Sequence, residues 1–183
     1  KTYSSQRRAA SPVMMTDDDI LNEFRAAEAL LEGHFILSSG LRSPRYLQCA
    51  RVLMNPARAA RLADEAARRL PEDIRNAIDV VVSPAMGGII IGHEMGRALN
   101  KDALFLERPD GVFGLRRGFR LEPSQKVLMV EDVVTTGLSS REAIEAVARE
   151  GGKLADVGPI ELRCCLKRGD NFLTETWVHR VTP

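Results

Sequence analysis

Val127-Leu128-Met129-Val130-Glu131-Asp132-Val133-Val134-Thr135-Thr136-Gly137-Leu138-Ser139 is the most informative stretch of this 183-residue chain. Its first four residues are apolar and have the length and composition of a strand buried on both faces. Two adjacent carboxylates, Glu131 and Asp132, follow at the carboxyl end of that strand. The residues after them are small, hydroxylated and glycine-containing, and they lead into a helical pattern. Backbone N–H groups at a helix start, with the helix dipole behind them, favour an anion the size of a phosphate. Thr135, Thr136 and Ser139 add hydroxyl donors, and Gly137 lets the backbone approach closely. The two carboxylates repel such an anion, so their partners are sugar hydroxyls or a hydrated Mg2+. Phosphate donors beside acceptors for a vicinal diol describe a holder for a phosphorylated ribose. A plain helix cap would account for one Asp and one Thr, but not for the whole cluster.

Outward from this stretch, strands and helices alternate. From Asp18 to Glu32, residues Ile20, Leu21, Phe24, Ala27, Leu30 and Leu31 recur at helical spacing, and Gly33 marks the expected end. His34 to Leu37 and Tyr46 to Cys49 read as short strands around a turn of Ser38, Ser39, Gly40, Ser43 and Pro44. Pro56 opens a second helix through Leu70, which Pro71 stops. Ile78 to Val82 is a buried strand, and Gly87-Gly88 leads into a helix reaching Leu99. Ala103 to Leu106 is another strand, followed by a polar segment, Glu107 to Arg120. A helix from Ser139 to Glu150 and a strand from Val157 to Leu162 complete the pattern. Such alternation predicts an α/β fold, a mostly parallel sheet covered by helices on both faces. Ligands of such sheets sit beyond the carboxyl ends of the strands, which selects the loops after Val82, Leu106, Val130 and Leu162.

Bulk properties narrow the function classes. With 44% hydrophobic and 28% charged residues and a net charge of +1, the chain has no electrostatic footprint of a nucleic-acid binder. Its apolar runs fall far short of the roughly 20 residues of a membrane span. Cys49, Cys164 and Cys165 make neither a metal set nor a disulfide framework and fit a reducing compartment. No G-x-G-x-x-G follows a predicted strand, which argues against a nicotinamide-dependent dehydrogenase. Residues 1–14 are basic and serine-bearing, read as an extension, tag or transit-peptide remnant. Met15 resembles a natural start, with Thr16 or Asp17 capping an acidic first turn. Residues 15–183 then form a single domain.

The thirteen residues quoted above resemble the phosphoribosyl-diphosphate signature of type I phosphoribosyltransferases. Gly33-His34-Phe35-Ile36-Leu37-Ser38-Ser39-Gly40, Ser43-Pro44-Arg45-Tyr46, Ser83-Pro84-Ala85-Met86-Gly87-Gly88, and Glu107-Arg108 through Leu115-Arg116-Arg117-Gly118-Phe119 resemble the orotate phosphoribosyltransferases in order and spacing. The likeness covers roughly Met15 to Arg163 and fades over residues 164–183, which look divergent or truncated. It implies the type I phosphoribosyltransferase fold, with a small hood from the N-terminal segment. The implied activity joins orotate to 5-phosphoribosyl 1-diphosphate (PRPP), giving orotidine 5′-monophosphate and diphosphate in de novo pyrimidine synthesis.

By that resemblance, Glu131, Asp132, Val133, Val134, Thr135, Thr136, Gly137, Leu138 and Ser139 bind PRPP. Glu131 and Asp132 face the ribose hydroxyls, and Thr135 to Ser139 face the 5-phosphate. Gly87 and Gly88 take the diphosphate through backbone N–H groups, where glycine permits the unusual angles of an anion nest. Glu107 to Gly118 is the family's mobile loop, whose Arg108, Arg116 and Arg117 neutralise the departing diphosphate. Asp132, Glu131 and Arg108 are the candidate catalytic residues. Thr135 and Arg163 are the candidate orotate contacts, and a guanidinium fork suits the orotate carboxylate. Mg2+ comes with PRPP, with Asp132 as its candidate protein contact. A homodimer, with no nucleic acid or membrane partner, and a cytoplasmic location are also implied, or organellar import if residues 1–14 are a transit remnant.

Three departures from the family pattern stand out. Ser38 and Gly87 occupy positions where many members carry lysines, and no lysine or histidine lies between Glu107 and Arg120. His34 and His93 read as structural. A shorter branch of the family has a similar Leu-Arg-Arg-Gly-Phe loop. The alternatives are a phosphoribosyltransferase for a purine or another base, and a non-catalytic regulator that senses PRPP.

Overall fold

A computed structural model describes residues 14–36, 42–133, 137–154, 162–163 and 175–176; at 45, at 154 and in the last two pairs only the backbone is described. Thr16 opens helix α1 (Asp17–Ala26). Its hydroxyl accepts the Asp19 amide at 3.1 Å while the Asp19 carboxylate accepts the Thr16 amide at 2.8 Å, a capping box. The apolar spacing predicts this helix as far as Glu32, yet it stops at Ala26. Glu28 turns to φ +50°, and the Glu28 and Ala29 amides return to the carbonyls of Arg25 and Phe24. That pair of bonds is a Schellman closure formed without glycine. Leu30 and Leu31, which extend the helical periodicity, instead enter strand β1 (Leu30–Ile36).

Strand β1 pairs antiparallel with β2 (Arg42–Leu47), with Phe35 and Tyr46 rings 5.6 Å apart, and the two form the expected hood. Leu37, the end of the expected strand, and Ser38, Ser39 and Gly40 of the expected turn lie outside the described residues. The strand predicted to reach Cys49 ends at Leu47, and Cys49 begins a short helix, α2 (Cys49–Leu53). Asn55 caps α3 (Pro56–Arg69), its side chain accepting the Arg58 amide at 3.0 Å, and Pro occupies the first helical position. A helix absent from the sequence reading, α4 (Glu72–Ala77), follows.

The central layer contains β3 (Val80–Pro84), β4 (Asp102–Glu107), β5 (Gly114–Leu115), β6 (Lys126–Met129) and β7 (Lys153–Leu154), ordered β5-β4-β3-β6-β7. β3, β4, β6 and β7 are parallel, and β5 closes one edge antiparallel. Helices α5 (Gly88–Leu99) and α6 (Leu138–Arg149) carry the chain between strands. Period-two alternation divides the sheet. Val81, Leu128 and Val130 pack with Ala63, Ala66 and Met95 on one face. Val80, Val82, Val127 and Met129 meet Ala143, Ile144 and Val147 of α6 on the other. Burying each of these Val, Leu, Ile and Met side chains contributes about 1.5–3 kcal/mol, so the loops leaving β3 and β6 stand on well-packed core strands. Of the strand expected from Val157 to Leu162, only Leu162 is described. Leu162–Arg163 (β8) pairs antiparallel with Glu175–Thr176 (β9), separately from the central sheet.

Candidate active site

The carboxyl ends of β3 and β6 lie side by side, and two loops leave them toward each other. Beyond β6, Val130 is still buried, Glu131 is 6% exposed and Asp132 is half-buried. The Ser140 hydroxyl, itself buried in the first turn of α6, donates to Oε2 of Glu131. Burial pushes the Glu131 carboxyl above its ordinary range. Hydrogen bonds from Ser140 and Ser139 work against that shift, the Asp132 charge adds to it, and Arg108 moderates it. Burial also raises Asp132, opposed by its own backbone amide and that of Val133. Both carboxylates are thus held in a medium that penalises their charge until a counter-charge or hydroxyl donor arrives.

Gly137 caps the N-terminus of α6 at φ +73°, a left-handed conformation that glycine adopts without penalty. The first turn of α6 contains no acid, so no side chain of that turn opposes the attraction of its dipole for an anion. Leu138 is 55% exposed and Ser139 half-buried at this end. Val134, Thr135 and Thr136 lie outside the described residues, as does the side chain of Arg163.

From β3 the chain turns through Ala85, Met86 and Gly87 into α5, with a cis Ala85–Met86 peptide. The sequence reading assigns Gly87 and Gly88 to unusual backbone angles. The structure corrects that reason: Gly87 has φ −59° and ψ −41°, open to any residue, and Gly88 is the first residue of α5. Space is what constrains Gly87. A Cβ there would lie 2.4 Å from Oδ2 of Asp132 and 2.7 Å from its Cγ and Oδ1. The loop after β3 therefore touches the carboxylate after β6, and a side chain at Gly87 would fit only if the Asp132 carboxylate moved.

The segment after β4 folds back as β5 and stores its three arginines on acids. Arg108 bonds Oε2 of Glu142 at 2.9 Å and donates to Ser139 Oγ at 3.3 Å, with its guanidinium 3.9 Å above the Phe113 ring. The Phe113 carbonyl accepts from Arg149 at 3.0 Å, pinning that ring. Arg117 reaches Glu107 at 2.6 Å and Arg116 reaches it at 3.8 Å, both arginines being more than half exposed. Arg108 thus joins the Glu131–Ser139 corner, whereas Arg116 and Arg117 gather around Glu107 at the end of β4.

Three contributors escaped the sequence reading. Ser140 follows the quoted motif directly, but its buried position becomes visible only once α6 packs on the sheet. Glu142 is an ordinary surface acid by sequence. Cys49 is read there as a small apolar filler, yet its thiol donates to the Asp132 carbonyl at 3.4 Å, while Val133 packs against the cluster around Cys49, Val52 and Leu53. The N-terminal layer therefore braces the loop that carries Asp132. Among the described residues no three His, Cys, Asp or Glu side chains gather into a metal-binding group, and no helix is long and apolar enough to cross a membrane.

No protein-family model matches the chain. Among curated proteins it is 77% identical over 140 residues to an orotate phosphoribosyltransferase of Erythrobacter litoralis, covering 76% of this chain and 72% of that protein. It is 69% identical over 140 residues to the orotate phosphoribosyltransferase of Sphingopyxis alaskensis, covering 76% and 71%. Among solved structures it resembles the orotate phosphoribosyltransferase of Aeropyrum pernix, with TM-score 0.59 and 24% identity over 74% of this chain and 76% of that one. An adenine phosphoribosyltransferase of Saccharomyces cerevisiae crystallised with adenine shares the fold at TM-score 0.56 and 19% identity, covering 75% and 84%. The type I phosphoribosyltransferase fold expected from the sequence is borne out.

Proposed function

This chain belongs to the orotate phosphoribosyltransferase family, and we infer from its site how it transfers the 5-phosphoribosyl group of PRPP to orotate in pyrimidine biosynthesis. The observation that carries the inference is the meeting of Gly87 with Asp132 beside Glu131. The proposed diphosphate loop, ribose-facing carboxylate pair and 5-phosphate helix start thereby meet at the carboxyl ends of two inner strands.

The reaction is displacement at the anomeric carbon: a ring nitrogen of orotate, having given up its proton, forms the C–N bond, the C–O electron pair leaves with diphosphate, and positive charge spreads over the ring in between. Little covalent chemistry falls to the protein; holding the reactants in line and placing charge correctly supply the acceleration. The first turn of α6 holds the 5-phosphate, and Asp132 and Glu131 accept the ribose hydroxyls. Their uncancelled negative field also stabilises the developing cation. Thr135 and Arg163 are the proposed orotate contacts.

Arg108, Arg116 and Arg117 are suited to the departing diphosphate because their present partners are weak competitors. Exposed ion pairs contribute about 0–1 kcal/mol, whereas a hydrogen bond to a charged group contributes about 1.5–3 kcal/mol. Releasing Glu107 and Glu142 in favour of diphosphate therefore costs the arginines little. Mg2+ is the proposed cation, supplying charge neutralisation on the diphosphate. Asp132, half-buried and with no cation bonded to it among the described residues, is the side chain fit to touch its hydration shell. A homodimer, in which the loop of one protomer reaches its partner, is also proposed.

An ultraviolet assay of orotate consumption with PRPP and Mg2+ tests the reading, run alongside adenine, hypoxanthine and uracil. Turnover with orotate alone is the expected result. Turnover with a purine and not orotate would move the assignment to another base, and PRPP binding without turnover on any base would favour the sensor.

A further inference from the structure

Ser140 has no part in the phosphoribosyl motif as read from the sequence, yet it is 2% exposed and bonded to an acid that is 6% exposed. It is the third residue of α6, directly after Ser139. A buried serine in a helix ordinarily returns its proton to the carbonyl one turn back. Here the hydroxyl crosses instead to Oε2 of Glu131, at the end of the neighbouring strand. The two are nine positions apart in the chain, so the contact exists only because α6 docks its first turn against the end of β6.

The type of donor matters. An arginine or lysine in this position would fix the carboxylate but cancel its charge. A neutral hydroxyl fixes it and leaves the charge in place. A carboxylate offers about four lone-pair directions, so bonds from Ser140 and Ser139 leave capacity for a substrate hydroxyl. Without a fixed donor, a glutamate side chain samples several rotamers, and only some of these present its free lone pairs to the space bounded by Asp132 and Gly87. Ser139 is a weaker fastening, because it lies at the more exposed edge of the turn, where water competes for its hydroxyl.

We propose that Ser140 is a positioning residue for ribose recognition, its buried hydroxyl holding the Glu131 carboxylate in the orientation that accepts a ribose hydroxyl. The inference rests on the reading that Glu131 faces the ribose, and it adds the residue that sets that orientation.

The test separates sugar from phosphate. Ribose 5-phosphate and inorganic phosphate are titrated calorimetrically into wild type, Ser140→Ala and Glu131→Gln. Both ligands engage the start of α6, but only the first carries hydroxyls for Glu131. Ser140→Ala is expected to weaken ribose 5-phosphate on the order of tenfold, the scale of one hydrogen bond to a charged group, and to leave inorganic phosphate unchanged. Glu131→Gln should show the same split. If Ser140→Ala weakens both ligands alike, the serine merely supports the helix start and the proposal falls. If Glu131→Gln weakens ribose 5-phosphate while Ser140→Ala does not, the proposal falls and the ribose role of Glu131 stands. If neither variant changes ribose 5-phosphate binding, that role fails as well. Should Ser140→Ala lose its melting transition, Ser140→Cys, which keeps the volume but donates weakly, reads the same split.

Discussion

Replacing Gly87 with alanine isolates the contact between the two loops. The backbone at Gly87 sits at φ −59° and ψ −41°, which alanine adopts freely. Restricting the unfolded chain should even stabilise the fold by about 0.4–1 kcal/mol. Against this stands the added methyl, 2.4 Å from Oδ2 of Asp132, where ordinary contact begins at 3.4 Å. The carboxylate must therefore retreat by about 1 Å. Overpacking of this kind, the displaced side chain included, costs about 1–3 kcal/mol. The opposing effects leave a net destabilisation of about 1–2 kcal/mol, a fall in Tm of roughly 2–8 °C at this chain length. Activity should suffer far more, because a misplacement of about 1 Å in a reacting constellation can cost on the order of 100-fold. Orotate consumption gives kcat/KM, and a circular-dichroism melt gives Tm. A folded Gly87→Ala enzyme with wild-type kcat/KM would show that the position of Asp132 against this loop does not matter to the reaction, and would refute the site geometry proposed above.

Asp132→Asn keeps the shape and removes the charge, so kcat should fall by about 100- to 1000-fold with an unchanged melt; undiminished turnover would remove Asp132 from the chemistry. Glu131→Gln should raise Tm at pH 7 while impairing catalysis. Burial holds the Glu131 carboxyl above its unfolded value, so its charge costs stability above the folded pKa and that cost disappears as pH falls; a lower Tm at pH 7 would contradict this sign. Glu65 is the opposite case. Burial alone would raise it, but hydrogen bonds from Arg69, the Met15 amide and Arg68 outweigh burial and hold it below its ordinary range. Its contribution is present above the unfolded carboxylate value and is lost as pH falls through the folded one. Glu65→Gln should therefore lower Tm by roughly 6–20 °C at neutral pH, from the about 3–5 kcal/mol of a broken buried pair, and flatten the acid limb of the stability curve. Unchanged Tm in that variant would argue that its ion pairs add nothing.

The parts of the fold legible in the sequence were those where one signal dominated. Val80 to Val82 and Val127 to Val130 are apolar without interruption, and both lie at the centre of the sheet. Asn55-Pro56 and Pro71 bracketed α3 to within a residue. Where two patterns overlapped, the sequence misled. Leu30 and Leu31 fit the helical period of α1 and the strand β1 equally well. The deciding event, Glu28 at φ +50°, is a left-handed cap made by a residue with no intrinsic preference for it. At the site, Glu131, Asp132 and the glycine loop were legible because their chemistry is unusual for a connection. Ser140, Glu142 and Cys49 were not, since each gains meaning only from a partner 9 to 83 residues away: Glu131, Arg108 and the Asp132 carbonyl respectively. The reason first assigned to Gly87 failed for the same cause, because backbone freedom is a local property and the crowding by Asp132 is not.

Two buried glutamates in this chain show how partner type separates a structural acid from a functional one. Glu65 lies under α1 within 3.0 Å of Arg68 and 2.9 Å of Arg69. Its charge is matched by cations, its carboxyl is held low, and it has no field left to offer a ligand. Glu131 is buried to a similar degree but is met by hydroxyls and by a second carboxylate. Arg108, the nearest cation to bear on it, is engaged by Glu142 and stacked on Phe113. Among the described residues no cation is bonded to Glu131, so burial pushes its carboxyl upward and the chain bears that cost in the absence of substrate. A perturbed acid of this kind is a liability for folding, and its counterpart is a ligand that brings positive charge or hydroxyl donors. A ribose ring developing positive charge brings both. The same imbalance that makes Glu131→Gln a stabilising change thus makes the wild-type residue useful, and the serines of α6 permit it by orienting the carboxylate without discharging it.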